Sequence, residues 1–378
     1  MFILKKIVSI MAAFVLMLYG VAGISGNVSD DYTEGKYKNV ILMIGDGMGE
    51  NTLKATKAQR NVELTMETMA VRGQRETKAV IPIIPTDSAA GGSALSCGIR
   101  LFQNSVAVFP FDPFTVKDFN VPVSITELVM TRGMATGVVT TDQTSGATPS
   151  SFSAHALSRS MEKDISKDQL TSGIDLIWGA ASERVNKENT AENGFTLVTN
   201  EDELMALEEG SRSFAQFSFD DLKYVRNEHN TPTIEEMTEK AIELLSADED
   251  GFFLMVEGAC IDKHSHNNDF KNATLSTVEF DKAVAAALEF AEKDGETLVV
   301  VTADHETGGI KENEETKEYY YTSDTHTSAN VPLFVSSDDA GFTSGQAVKN
   351  RQIPVQLARV LGFEKGQFPA SNLFYEVK

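Results

Sequence analysis

Several apolar runs along the chain end in Gly, Asp or Glu, the pattern of buried strands whose carboxyl ends feed loops. Val40 to Ile44 leads into Gly45-Asp46-Gly47, Gly137 to Thr140 into Thr141-Asp142, Phe252 to Val256 into Glu257, and Leu298 to Val301 into Thr302-Ala303-Asp304-His305. Val331 to Val335 reads as one more strand. Between these runs the period becomes helical. Thr233 and Glu236 form a capping box for Ile234, Met237, Ala241, Leu244 and Leu245, and Phe280, Val284, Ala287, Leu288 and Ala291 line one face of a second helix. Strands alternating with helices predict an α/β fold: a three-layer sandwich with a central, mostly parallel sheet flanked by helices. Ligands in such sheets bind beyond the carboxyl ends of the strands, where the acidic and His residues fall. Residues from about 160 to 232 are less regular, with acidic stretches such as Glu201-Asp202-Glu203. They read as a surface excursion of the same domain, with solvated charge.

The first residues depart from that pattern. Lys5 and Lys6 precede an apolar run from Ile7 to Leu18 and the small residues Gly20-Val21-Ala22-Gly23. A positive start, a short apolar core and small residues near a cut site predict a signal peptide over 1–26, and hence a periplasmic or secreted protein with no stable membrane anchor. Residues 27–378 are then one domain. The formal net charge of −22 argues against nucleic acid as a partner. Only Cys97 and Cys260 are present, too few for a disulfide scaffold, and both read as buried thiols.

The chemistry lies in a few clusters. Asp262 and His266 stand four apart, Asp304 and His305 are adjacent at a strand end, and His326 just precedes a strand. Imidazole with carboxylate is the ligand set of catalytic zinc, although such adjacency also arises by chance. Thr86-Asp87-Ser88-Ala89-Ala90-Gly91-Gly92 puts Ser88 at the start of a small-residue helix, whose unpaired N–H groups suit a phosphate. Ser88 serving only as a helix cap is the plainer alternative. No His falls in this segment to act as a base, and a serine without one needs a metal to become a nucleophile.

With these residues in order, the sequence resembles the alkaline phosphatase family from about Tyr37 to Pro332. Asn39 to Gly47, Asp87-Ser88-Ala89, Ala147-Thr148-Pro149, Glu257-Gly258 with Ile261-Asp262-Lys263 and His266, Asp304 to Gly309, and His326-Thr327 all resemble its motifs. The resemblance implies one alkaline phosphatase catalytic domain with two zinc ions and one magnesium ion, acting on small phosphate monoesters through a phosphoserine on Ser88. Asp304, His305, Asp46 and the Ser88 oxygen would hold the zinc that activates the nucleophile. Asp262, His266 and His326 would hold the second, which shields the leaving oxygen and then activates water. Asp46, Thr148 and Glu257 would hold magnesium. Arg159 would grip phosphate, oriented by Asp87, and Lys263 would reach phosphate through water, against the alternative of a solvated lysine. His155, four residues before Arg159, is read as structural and able to share its helix face; His264 faces away from the site and His229 is surface. Family members are commonly dimers, but no interface can be read along the chain.

The chain departs from the family at Gly146, where members carry Asp or His. That predicts weak magnesium binding, with Asp142 or Ser145 as possible substitutes and a gain for Gly146→Asp. Three rival readings stand beside the monoesterase. Phosphodiesterases and nucleotide pyrophosphatases resemble a threonine-nucleophile pattern that lacks the arginine, a phosphoglycerate mutase-like enzyme would use manganese in the cytoplasm, and a phosphate- or metal-binding protein would not turn over.

Overall fold

In the computed structural model, residues 35–110, 119–369 and 371–372 are described; the expected signal peptide lies outside them. Ten strands form the central sheet: β1 (Asn39–Gly45), β2 (Val71–Glu76), β3 (Ala135–Gln143), β4 (Leu176–Ala180), β5 (Thr196–Val198), β6 (Ser213–Phe217), β7 (Phe252–Gly258), β8 (Thr297–Thr302), β9 (Val331–Val335) and β10 (Ala347–Lys349). Their order is β10-β2-β9-β8-β1-β7-β3-β4-β6-β5. Every pairing is parallel except the two made by β9, which runs against β8 and β2. The sheet is therefore the mostly parallel one expected, and the expected strands lie at its centre.

Continuous apolar runs arise here because both faces of the sheet are covered. Along β1, Ile41 and Met43 point into one core while Val40, Leu42 and Ile44 point into the other. The principal helices are α1 (Glu50–Arg60), α2 (Ser88–Cys97), α3 (Ile125–Met130), α4 (Ala147–Ser153), α5 (Ile234–Leu245), α6 (Cys260–Ser265), α7 (Phe270–Asp294) and α8 (Gln352–Val360). Leu53 of α1, Met237 of α5 and Phe280 of α7 join the first core. Leu95 of α2, Ile125 of α3, Phe152 of α4 and Ile353 of α8 join the second. The Thr233–Glu236 capping box forms as read and starts α5.

Residues 160–232 depart from expectation. They are not only an excursion: β4, β5 and β6 extend the sheet beyond β3 to its edge. The signal of β6 is weak because it carries polar residues that only tertiary partners satisfy. Ser213 and Gln216 of β6 are buried. The Ser213 hydroxyl accepts from Trp178 Nε1 at 2.9 Å, and Gln216 Oε1 accepts from the Ser182 N–H at 2.7 Å.

The parallel strands deliver Asp46, Asp142, Glu257, and Asp304 with His305, to one edge of the sheet. His326 precedes the antiparallel β9, so it reaches that same edge from the start of a strand.

Candidate active site

Ser88 is the first residue of α2, capped by Asp87, whose carboxylate accepts from the Ala90 N–H at 3.2 Å. The helix sits unusually close to the site. An ideal Cβ at Gly91 would lie 3.0 Å from the Asp304 carbonyl oxygen, and one at Gly92 would lie 3.3 Å from Thr148 Cα. The small-residue sequence is what allows that approach. Ser88 Oγ lies 3.2 Å from His305 Nε2. The same nitrogen is 3.1 Å from Asp304 Oδ2 and 3.5 Å from Asp46 Oδ1. Both oxygens are buried and have no hydrogen-bond partner. Burial pulls the His305 imidazole down to about 4, so its ring is neutral near pH 7 and can offer a lone pair. Burial, then the charges of Asp304, Asp262 and Glu257, holds the Asp46 carboxyl well above the usual carboxylate range.

The second cluster shows the same need more directly. His266 Nε2 and His326 Nε2 face each other at 3.0 Å. Their other ring nitrogens lie against backbone carbonyls, Nδ1 of His266 at 2.6 Å from Asp324 O and Nδ1 of His326 at 2.9 Å from Thr86 O. Those carbonyls require Nδ1–H donors, which turns both Nε2 lone pairs toward one point. Asp262 closes the group, its oxygens 3.4 Å from His266 Nε2 and 3.6 Å from His326 Nε2. Two lone pairs so placed are held together only by a proton or a cation. A hydrogen bond donated to Asp262 raises His266 to about 9. Burial pushes Asp262 upward, but the His266 hydrogen bond outweighs it and the carboxyl stays below its ordinary value. Asp262, His266 and His326, and likewise Asp46, Asp262 and His305, offer ligand atoms within 4.8 Å of one another. Imidazole and carboxylate donors with orphaned buried oxygens fit zinc.

On the side facing β3 and β7 the donors are oxygens. Thr148, on α4, has a buried hydroxyl without a well-formed partner. Glu257 ends β7 and accepts from the Thr140 hydroxyl. Burial, then the neighbouring Asp142 charge, pushes Glu257 up to about 8. With Asp46 this is a hard oxygen set of the kind that suits magnesium. Lys263 is not a free surface lysine, since its Nζ lies 2.9 Å from Asp142 Oδ2. Arg159 lies beside Asp87, Nη1 to Oδ2 3.5 Å. Its backbone N–H donates to Asn104 O at 2.8 Å, and the Asn104 N–H donates to Asp87 Oδ2 at 3.0 Å.

His155 and Arg159 do not share a helix face. Helix α4 ends at Ser153, and Ala154 is extended so that Ala156 can bridge Val106. The His155 side chain is 9% exposed and lies against Glu127. His264 points away to the Lys223 carbonyl, and the side chain of His229 is exposed beside Asp221. Cys97 and Cys260 are free buried thiols. Two contributors carried no residue-level signal. Thr307, inside a quoted motif, donates to Asp262 Oδ1 and lies 3.3 Å from His305 Nδ1. Arg75, fully buried on β2, donates to the carbonyls of Ala303 and Asp304 and so holds the backbone just before His305.

The sequence matches the alkaline phosphatase family model over residues 37–180 and 179–350. The chain belongs to the alkaline phosphatase family. Alkaline phosphatase 3 of Bacillus subtilis is 35% identical over 292 residues, 72% of this chain but 62% of that protein. Alkaline phosphatase 4 of the same organism is 30% identical over 336 residues, 83% of this chain and 70% of its own length. Among solved structures, alkaline phosphatase from the Antarctic bacterium TAB5 superposes with a TM-score of 0.73 at 29% identity, covering 87% of this chain and 99% of that one. A His-to-Asp variant of that Antarctic enzyme has Mg bound in its M3 site. The α/β sandwich is thus that of the family. Among the described residues no helix is long and apolar enough to cross a membrane.

Proposed function

We propose that this chain hydrolyses phosphate monoesters through a phosphoserine on Ser88. What carries the reading is the convergence of Ser88 Oγ, His305 Nε2 and the unpartnered Asp46 and Asp304 oxygens at the amino end of α2. Asp46, Ser88, Asp304 and His305 would hold one zinc; Asp262, His266 and His326 a second; and Asp46, Thr148 and Glu257 a magnesium. Magnesium in the Antarctic relative's variant supports a third site by analogy. Bound zinc supplies positive charge against the negative charge that develops as the phosphoryl group transfers.

The chain's own groups do the rest. The α2 amino end presents backbone N–H groups to the phosphate, and Arg159 grips two of its oxygens while Asp87 fixes the guanidinium. Ser88 Oγ forms a bond to phosphorus as the ester oxygen leaves, and water then cleaves the phosphoserine from the opposite side. A serine nucleophile with a guanidinium beside it favours a monoester over a diester, whose second substituent would occupy an oxygen that Arg159 grips. Export and a homodimer belong to this proposal as well.

The test is acid quenching with an aryl phosphate labelled on phosphorus. Label should be trapped on Ser88, and Ser88→Ala should keep fold and metals while losing several orders of magnitude in turnover. Label elsewhere, a Ser88→Ala variant as fast as wild type, or a preference for an aryl phosphodiester would overturn the reading.

A further inference from the structure

We propose that Asp142 is a positioning residue that closes the magnesium side of the site together with Lys263, from the end of β3 and in place of any side chain at position 146. The inference rests on the phosphatase reading and adds to it a residue outside the ligand set.

Gly146 is the N-cap of α4, the helix that carries Thr148, and it offers no side chain. The space in front of it is taken. An ideal Cβ at Gly146 would lie 2.5 Å from Asp142 Oδ2 and 2.9 Å from the Gln143 carbonyl oxygen, closer than side-chain atoms come without displacement. Any side chain at position 146 would have to displace the Asp142 carboxylate and press on the Gln143 carbonyl.

That carboxylate is not loose. Its Oδ1 accepts from the Gln143 N–H at 2.7 Å and its Oδ2 faces Lys263 Nζ at 2.9 Å. The Asp142 N–H donates to Thr140 Oγ1 at 2.8 Å, and the Thr140 hydroxyl donates in turn to Glu257 Oε2. A continuous path therefore runs from Lys263 through Asp142 and Thr140 to Glu257. Lys263 follows Asp262 directly on α6, so the same pair joins the magnesium side to the second zinc cluster. The Asp142 side chain is only 15% exposed. A carboxylate has about four acceptor sites, so after these two contacts Asp142 can still orient water on a magnesium that keeps several waters. This reverses the expectation for Gly146→Asp: the added side chain meets Asp142 and Gln143 instead of empty space.

The experiment is calorimetric magnesium titration of the zinc-loaded, magnesium-free protein, which reads binding without turnover. Asp142→Asn, which keeps shape and removes charge, should weaken magnesium about 10–100-fold. Gly146→Asp should also weaken it. Asp142→Asn and Lys263→Met should be strongly non-additive in the KM for an aryl phosphate, because each breaks the same pair. Wild-type magnesium affinity in Asp142→Asn, tighter binding in Gly146→Asp, or additive effects in the double variant would each overturn the proposal. Ser88→Ala titrated alongside separates the two readings. A fully active Ser88→Ala sinks the phosphoserine mechanism and leaves the magnesium result standing.

Discussion

The Arg159 side chain is 37% exposed and lies beside Asp87, the residue that caps the helix of Ser88. On the proposed reading this guanidinium would act by binding and orienting phosphate. Arg159→Ala should raise KM and weaken inhibition by inorganic phosphate by on the order of 2 kcal/mol, the worth of a charge-assisted contact open to water, with a smaller fall in kcat. Steady-state kinetics with phosphate as inhibitor checks it, and unchanged inhibition would count against the placement. At this scale the sequence singled out the His and Asp residues that the fold brings together, because Asp304-His305 and Asp262 with His266 are local patterns. It did not show which atoms would lie in the space before Gly146, since that depends on how the turn after β3 folds back. Nor did it reveal Arg75 or Thr307, whose roles arise from contacts between residues far apart in the chain.

Among elements, the segment leaving α4 is tied to α3 by one ion pair. His155 Nδ1 lies 2.8 Å from the Ala107 carbonyl and Nε2 lies 3.1 Å from Glu127 Oε1, so both ring nitrogens meet acceptors. Burial lowers His155, but the Glu127 hydrogen bond and charge outweigh it and the imidazolium is favoured. Burial likewise raises Glu127, and His155 brings it below its ordinary value. A raised His contributes stability that is complete below its ordinary value of 6.5 and is lost as pH rises through the folded value. Glu127→Gln should therefore destabilise at pH 6 by about 1 kcal/mol, reduced from a buried pair because the carboxylate is a third exposed, and by less at pH 9. Thermal unfolding at the two pH values decides; an equal loss at both would mean that the pair is not ionised as described. The strands that were legible share a feature that β6 lacks. β1, β7 and β8 are continuous apolar runs covered on both faces, whereas β6 buries Ser213 and Gln216 against partners no local pattern announces.

For the whole molecule, the consequence of the fold is a concentration of charge at one sheet edge. Asp46, Asp142, Glu257, Asp262 and Asp304 meet there in a chain of net charge −22, with Lys263, Arg159 and the buried Arg75 as the nearby cations named above. Without metal, folding forces protons onto this edge. Glu257 stands at about 8 and His266 at about 9, each above its ordinary value. Groups with raised values bind protons in the folded state that the unfolded chain releases, so stability falls as pH rises between 6.5 and about 9. His305 works in the opposite direction, but at about 4 it titrates below that window, and Asp262 lies lower still. Zinc bound as proposed would replace those protons with fixed positive charge and add binding energy to the folded state. Calorimetric scans of chelator-treated protein should show Tm falling from pH 6.5 to pH 9 by on the order of 5 °C more than in zinc-loaded protein, which should also unfold at higher temperature throughout. The comparison needs no substrate, so it tests the electrostatics of the site apart from its chemistry. If the metal-free protein is as stable at pH 9 as at pH 6.5, the buried carboxylates and His266 are not holding protons, and the cation-seeking character assigned to this edge is wrong.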